Sequence, residues 1–237
     1  MSDKSGKNGR SVNSVNSGRI SPARMRELLR MYLVIGSTNC VAEPLRVVEE
    51  ALAGGVTLVQ FREKGPGALV GDARLALVLQ LQAACRRAEV PFIINDDVDL
   101  ALEIGADGIH IGQDDETADT VRSRIGDRLL GVSAHTVEEA RLAVRQGADY
   151  LGIGPIYPTV SKADAHAVQG PGILRELRGQ GIALPMVGIG GITAELAGEV
   201  VRAGADGVAV ISAVTAVPAN EIRMAVQRIR EQVDTRR

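Results

Sequence analysis

Aromatic side chains are nearly missing from this chain: its 237 residues include no Trp, two Phe and three Tyr. That excludes a platform of rings on which unpaired bases could stack, so no single-stranded nucleic-acid partner is expected. An excess of charge is missing too. Lys and Arg number 27 against 29 Asp and Glu, a formal net charge of −2, which gives no broad attraction to nucleic acid or anionic lipid. The only two cysteines, Cys40 and Cys85, form neither a CxxC pair nor a metal-spaced set with histidine. Cys85 stands in an alanine-rich helical pattern and reads as a small buried apolar side chain. No uncharged apolar run approaches the ~18 residues that a bilayer span needs. No secretory leader is legible, so the expected setting is cytoplasmic with no membrane partner.

What the chain has is aliphatic material, with hydrophobic residues at 45 %. A core built from Val, Ile, Leu and Ala is typical of parallel strands covered by helices. Eight apolar runs begin at Met31, Val56, Pro91, Asp107, Arg128, Asp149, Leu184 and Asp206. Between them lie segments with helical spacing, such as Leu45/Val48/Ala51/Leu52 and Leu196/Val200/Val201. Strands alternating with helices imply a parallel sheet, and eight such units predict an α/β fold, the (β/α)8 TIM barrel. A doubly wound open sheet is the alternative. Residues 1–18, rich in Ser, Asn, Gly and Lys, are expected to form a disordered tail. Residues 19–237 are expected to form one catalytic barrel domain, led by a short extra helix that Ser21 caps and Pro22 opens.

Gly-Ala-Asp recurs at 105–107, 147–149 and 204–206, each time between a helix and the next strand. The Gly suits a helix C-cap and the Asp can bond turn amides, a structural role. The opposite strand ends carry the reactive residue types. In a barrel these ends converge on one face.

Asp96 and Asp115 end neighbouring strands three and four and could share one Mg2+, which takes one or two carboxylates plus substrate phosphates. Capping of the following helices is the competing reading. Gln60, Arg62 and Lys64 alternate at the exit of strand two and so point alike, toward the barrel interior. A polyphosphate would supply the partner that buried cations need, as would a salt bridge to Glu63 or to a barrel carboxylate. Gly188–Thr193, after strand seven, and Ile211-Ser212, after strand eight, form a place for a phosphate. The long connection from Pro155 to Gly170, with Thr159, Ser161, Lys162 and His166, reads as a lid. His110 reads as a packed strand residue. His135, two residues after Ser133, could orient that serine, although a structural role is preferred and no orienting acid is identifiable.

The segments QFREK at 60–64, NDD at 95–97, HIGQDD at 110–115, GVSAHT at 131–136, GPIYPT through Lys162, VQG at 168–170 and GIGGI at 188–192 together resemble thiamine phosphate synthase, in order and over nearly the whole folded part. The resemblance implies a transferase acting on two small phosphorylated substrates, an aminomethylpyrimidine diphosphate and a methyl-hydroxyethylthiazole phosphate. The products would be thiamine phosphate and pyrophosphate. It places the pyrimidine diphosphate on Gln60, Phe61, Arg62, Glu63, Lys64, Asn95, Ser133 and Lys162. Of these, Arg62, Lys64, Ser133 and Lys162 are the catalytic set. Thiazole phosphate falls on Thr159, Val160, Ser161, Gly191, Ile211 and Ser212, and Mg2+ on Asp96 and Asp115. Rival readings are a thiazole tautomerase on the same barrel, a non-catalytic phosphate-binding barrel and a phosphosugar isomerase. Homo-oligomerisation is left open.

Overall fold

The computed structural model describes residues 18–159 and 167–235. Nearly all of the expected N-terminal tail, together with Val160, Ser161, Lys162 and His166, lies outside the described residues. Eight parallel strands close in sequence order into a barrel, each paired with its neighbours and the last with the first. They are β1 (Met31–Ile35), β2 (Leu58–Phe61), β3 (Phe92–Asn95), β4 (Gly108–Ile111), β5 (Leu129–Ala134), β6 (Tyr150–Ile153), β7 (Met186–Ile189) and β8 (Gly207–Val210). The TIM-barrel expectation holds, and the open-sheet alternative falls because β1 bonds β8.

Helix α1 (Pro22–Leu28) precedes the barrel, with Ser21 Oγ accepting the Arg24 amide at 3.2 Å. The helices α2 (Pro44–Gly54), α3 (Gly71–Arg87), α4 (Val98–Glu103), α5 (Ala118–Ile125), α6 (Val137–Arg145), α7 (Gly172–Gly179) and α8 (Ala194–Arg202) connect successive strands. The short α9 (Ser212–Thr215) and the final α10 (Ile222–Asp234) follow β8. Their inward stripes follow helical spacing: Ile222, Val226, Ile229 and Val233 on α10 are all buried. Among the described residues, no helix is long and apolar enough to cross a membrane.

Period-two alternation sorts the strand residues into two cores. Outward residues such as Leu33, Val59, Phe61, Phe92 and Ile94 pack under the helices. Inward residues, among them Tyr32, Val34, Leu58, Ile93, Leu129, Tyr150, Val187 and Ala209, fill the barrel, and Met25, Leu28 and Leu29 join them from α1 and its end. The repeated aspartates act across strands rather than within their turns. Asp107 accepts the Phe92 amide, Asp149 the Leu130 amide and Asp206 the Met186 amide, at 2.8, 2.9 and 2.9 Å. Each carboxylate thus ties the start of its own strand to that of the preceding neighbour. Arg122 and Arg19 pair with Asp149, and Arg178 and Arg26 with Asp206. The Asp residues are structural, as expected, but they fix barrel register rather than turn shape.

Candidate functional site

One cavity opens where the strands end. Its wall includes Arg62 and Lys64 beyond β2, Asn95 and Asp96 at β3, His110 and Asp115 at β4, and Ser133 and His135 at β5. Thr159 beyond β6, Ile189 and Gly190 at β7, and Ile211 and Ser212 at β8 complete it. Residues scattered over 150 positions of chain therefore meet around a common space, as the convergence of parallel strand ends requires.

Lys64 Nζ forms an ion pair with Asp96 Oδ2. Asp96 holds the left-handed conformation, φ 62°, which is uncommon outside glycine and which Asn and Asp tolerate better than most residues. Strain of this kind costs about 1–3 kcal/mol and persists where the surroundings fix it. Here the Asp96 amide donates to the His110 carbonyl at 2.8 Å. Burial pushes the Asp96 carboxyl above the usual carboxylate range; the Lys64 contact pulls it back and hydrogen-bonded Asp115 pushes it up again. Asp115 Oδ2 meanwhile accepts the Gly112 amide at 2.7 Å. Two crowded carboxyl groups facing a cavity suit a shared divalent cation better than they suit each other. Among the described residues no cluster of three or more His, Cys, Asp or Glu forms a ready-made metal cage. Mg2+ held by two carboxylates would draw its further oxygens from bound phosphate and water. The capping alternative, open to Asp97 and to Asp114 or Asp115, holds for Asp97, whose Oδ1 accepts the Leu100 amide at 3.0 Å.

Several expected contacts do not reach the cavity as side chains. The Phe61 ring points outward and packs against Phe92, centroids 6.5 Å apart, in the layer beneath the helices. Glu63 accepts from the Ser37 amide and hydroxyl and from the Leu69 amide, at 2.7, 2.5 and 2.8 Å. Its carboxylate ties two loops together, and for Lys64 the salt-bridge alternative is met by a barrel carboxylate, Asp96, rather than by Glu63. Gln60 lies one layer below the opening, where its Nε2 donates to Tyr32 Oη at 2.7 Å. Gly191 has φ 63°, and a Cβ there would come within 2.4 Å of the Pro158 carbonyl, so only glycine lets the β7 loop pass the β6 loop so closely.

The partner of Ser133 is His110, not His135. His110 Nε2 lies 3.0 Å from Ser133 Oγ and its Nδ1 lies 2.9 Å from Tyr150 Oη. His135 Nδ1 instead meets Glu139 Oε2 at 3.0 Å. The packed reading of His110 is right in that it is buried, yet the same ring lines the cavity. Tyr32 and Tyr150, unmarked by any sequence motif, stand behind it.

Comparison with known proteins agrees with this geometry. The sequence model of the family described as thiamine monophosphate synthase matches residues 31–214. A thiamine-phosphate synthase of Geobacillus kaustophilus (strain HTA426) is 61 % identical over 200 residues, 84 % of this chain and 90 % of the relative. Another, of Bacillus thuringiensis (strain Al Hakam), is 57 % identical over 197 residues, 83 % of this chain and 90 % of the relative. The solved thiamine phosphate pyrophosphorylase of Pyrococcus furiosus superposes with a TM-score of 0.79 at 33 % identity, covering 89 % of this chain and 98 % of that one. With its barrel closed, its polar strand ends gathered on one cavity and its sequence matched over most of its length, the chain belongs to the thiamine monophosphate synthase family.

Proposed function

We propose that this chain joins 4-amino-2-methyl-5-(diphosphooxymethyl)pyrimidine to 4-methyl-5-(2-phosphooxyethyl)thiazole, giving thiamine phosphate and pyrophosphate. The observation that carries the reading is the meeting of Arg62, Lys64, Asp96, Asp115 and Ser133 with the β7 and β8 loops on one cavity. Family membership selects this chemistry among those the cavity could serve.

Breaking the bond between the pyrimidine methylene carbon and its diphosphate leaves a ring-stabilised cation, which the thiazole nitrogen attacks. The step needs charge neutralised at the departing group more than it needs a strong base. Arg62 offers a planar fork to the diphosphate, Lys64 a mobile ammonium, and Lys162, from the Pro155–Gly170 connection, a third positive charge. Asp96 and Asp115 would hold Mg2+, which supplies further neutralisation of the diphosphate. Asn95 and Ser133 hydrogen-bond the pyrimidine substrate, with Gln60 beneath them. Phe61 and Glu63 contribute through their main chain and by shaping the β2 exit. Thr159, Val160, Ser161, Gly191, Ile211 and Ser212 receive the thiazole phosphate. The setting is cytoplasmic, and the partners are the two small phosphorylated substrates.

The deciding experiment mixes purified protein with both substrates and Mg2+ and follows pyrophosphate and thiamine phosphate together. Equal release of both is expected. Aromatisation of a thiazole tautomer without pyrophosphate would identify a tautomerase, and tight ligand binding without turnover under any divalent metal would identify a non-catalytic barrel.

A further inference from the structure

A chain of five side chains runs through the barrel interior to the cavity. Gln60 on β2, Tyr32 on β1, Tyr150 on β6, His110 on β4 and Ser133 on β5 are linked by contacts of 2.7, 2.9, 2.9 and 3.0 Å. Both tyrosines are fully buried, and burial raises each hydroxyl well above the ordinary tyrosine range, so they stay protonated. The barrel is built around this chain. A Cβ on Gly131 would lie 2.3 Å from Tyr150 Oη and 2.4 Å from His110 Nδ1, and one on Gly152 would lie 2.9 Å from His110 Cε1. Two strand glycines therefore leave the space in which Tyr150 and His110 meet.

The direction of the chain follows from its buried end. Gln60 Nε2 is a donor and cannot accept, so Tyr32 Oη accepts from it. A phenol has one proton to give, and the arrangement that satisfies every contact in the chain has Tyr32 give it to Tyr150, whose hydroxyl lies 2.9 Å away. In the same arrangement Tyr150, having accepted, gives its own to His110 Nδ1, 2.9 Å away. The ring then carries its proton on Nε2 and donates it to Ser133 Oγ. The Ser133 proton is left over, on a side chain that lines the cavity.

We propose that Gln60, Tyr32 and Tyr150 are positioning residues that lock His110 as the Nε2–H tautomer, and so make Ser133 a hydrogen-bond donor to an acceptor atom of the bound pyrimidine diphosphate. The substrate part of this rests on the synthase reading above; the tautomer part does not. A serine able to turn either way would be an indifferent partner, whereas a serine that accepts from His110 keeps its own proton to give toward the cavity. Ser133 therefore favours a ligand with a lone pair at that point.

Nitrogen-15 NMR of histidine-labelled full-length protein, with His110 assigned by comparison with His135→Asn and His166→Asn variants, reads the tautomer directly. The ligand-free protein is expected to show His110 protonated at Nε2. Gln60→Glu, read at a pH high enough to ionise the buried carboxyl so that it only accepts, is expected to reverse the chain and move the proton to Nδ1. Tyr150→Phe is expected to leave a mixture, so that a Gln60→Glu protein that failed to fold would not spare the idea its test. A proton on Nδ1 in the unaltered protein, or a tautomer indifferent to both substitutions, overturns the proposal. In turnover, Tyr150→Phe should lower kcat about tenfold, the scale of one lost hydrogen bond in the transition state. KM for the thiazole phosphate should remain unchanged. Unaltered kcat in a folded Tyr150→Phe protein overturns the link to Ser133. Absence of pyrophosphate release by the unaltered protein would fault the synthase reading alone, because the tautomer is read without substrate.

Discussion

Lys64, beyond the end of β2, reaches across to Asp96 at the end of β3 and pairs with a cavity carboxylate held at positive φ. The pair counters part of the crowding between Asp96 and Asp115, and it leaves both a cation and a carboxylate where a diphosphate with Mg2+ would sit. Asp96→Asn keeps the size of the side chain, and asparagine tolerates the left-handed backbone. Turnover at limiting Mg2+ is expected to fall by at least about tenfold, with partial recovery as Mg2+ is raised. Pyrophosphate release across an Mg2+ titration checks this. A Mg2+ dependence identical to that of the unaltered protein would remove Asp96 from the metal site.

Phe61 sits inside the QFREK segment yet turns its ring to the helices. Phe61→Leu is expected to destabilise by about 1–2 kcal/mol through imperfect refilling of the space beside Phe92. KM for the pyrimidine diphosphate should be unchanged. Chemical denaturation and steady-state kinetics on the same preparation separate the two effects, and a raised KM without loss of stability would return the ring to the binding surface.

The barrel was legible because its two signals reinforce each other: eight aliphatic runs at intervals that fit helices, and reactive residue types gathered at the same end of the second to eighth runs. The carboxylate pair was legible for the same reason, since Asp96 and Asp115 end adjacent strands. What the sequence hid is whatever depends on how far neighbouring strands slide past one another. His135 lies two residues from Ser133 and looks like its partner. The β4–β5 register instead sets His110 opposite Gly131, bringing the imidazole beneath Ser133. Tyr32 and Tyr150 are 118 residues apart and on strands that do not pair, so no local pattern foretells that their hydroxyls meet. The aspartate repeat was visible as a motif, but its bonds to the preceding strand appear only once the barrel is closed.

Gly131 and Gly152 offer a graded test of the interior chain. A methyl group at Gly131 would fall 2.2 Å from Tyr150 Cζ, against a ring with no room to retreat, whereas at Gly152 the nearest atom is His110 Cε1 at 2.9 Å. Gly131→Ala should therefore destabilise by about 2–3 kcal/mol, as overpacking of a filled core does. Gly152→Ala should cost less stability but displace His110, lowering kcat more than it lowers the unfolding free energy would suggest. Thermal unfolding and kcat measured side by side check the order; equal effects from both substitutions would mean that the two glycines do not shape the His110 pocket separately.

Cys40 and Cys85 bear on the alkaline limit of the fold. Burial first, and nearby carboxylates second, push each thiol up to about 12. For Cys40 the carboxylates are Glu63 and Glu43; for Cys85 the raising neighbour is Asp107, with Arg87 pulling weakly the other way. An acid held protonated by the fold but freed at its ordinary value on unfolding stabilises the native state only while both states keep the proton. That contribution is complete below pH 9, the ordinary thiol value, and declines as pH climbs from there toward 12, because the unfolded chain alone gains the favourable ionised form. Neither thiol should then be reactive at neutral pH, since the thiolate is the nucleophile. Iodoacetamide at pH 8 is expected to label the native protein slowly at both positions and the urea-unfolded protein rapidly. Fast labelling of Cys40 in the native state would show that its thiol is more open, and less raised, than its place beside Glu63 implies.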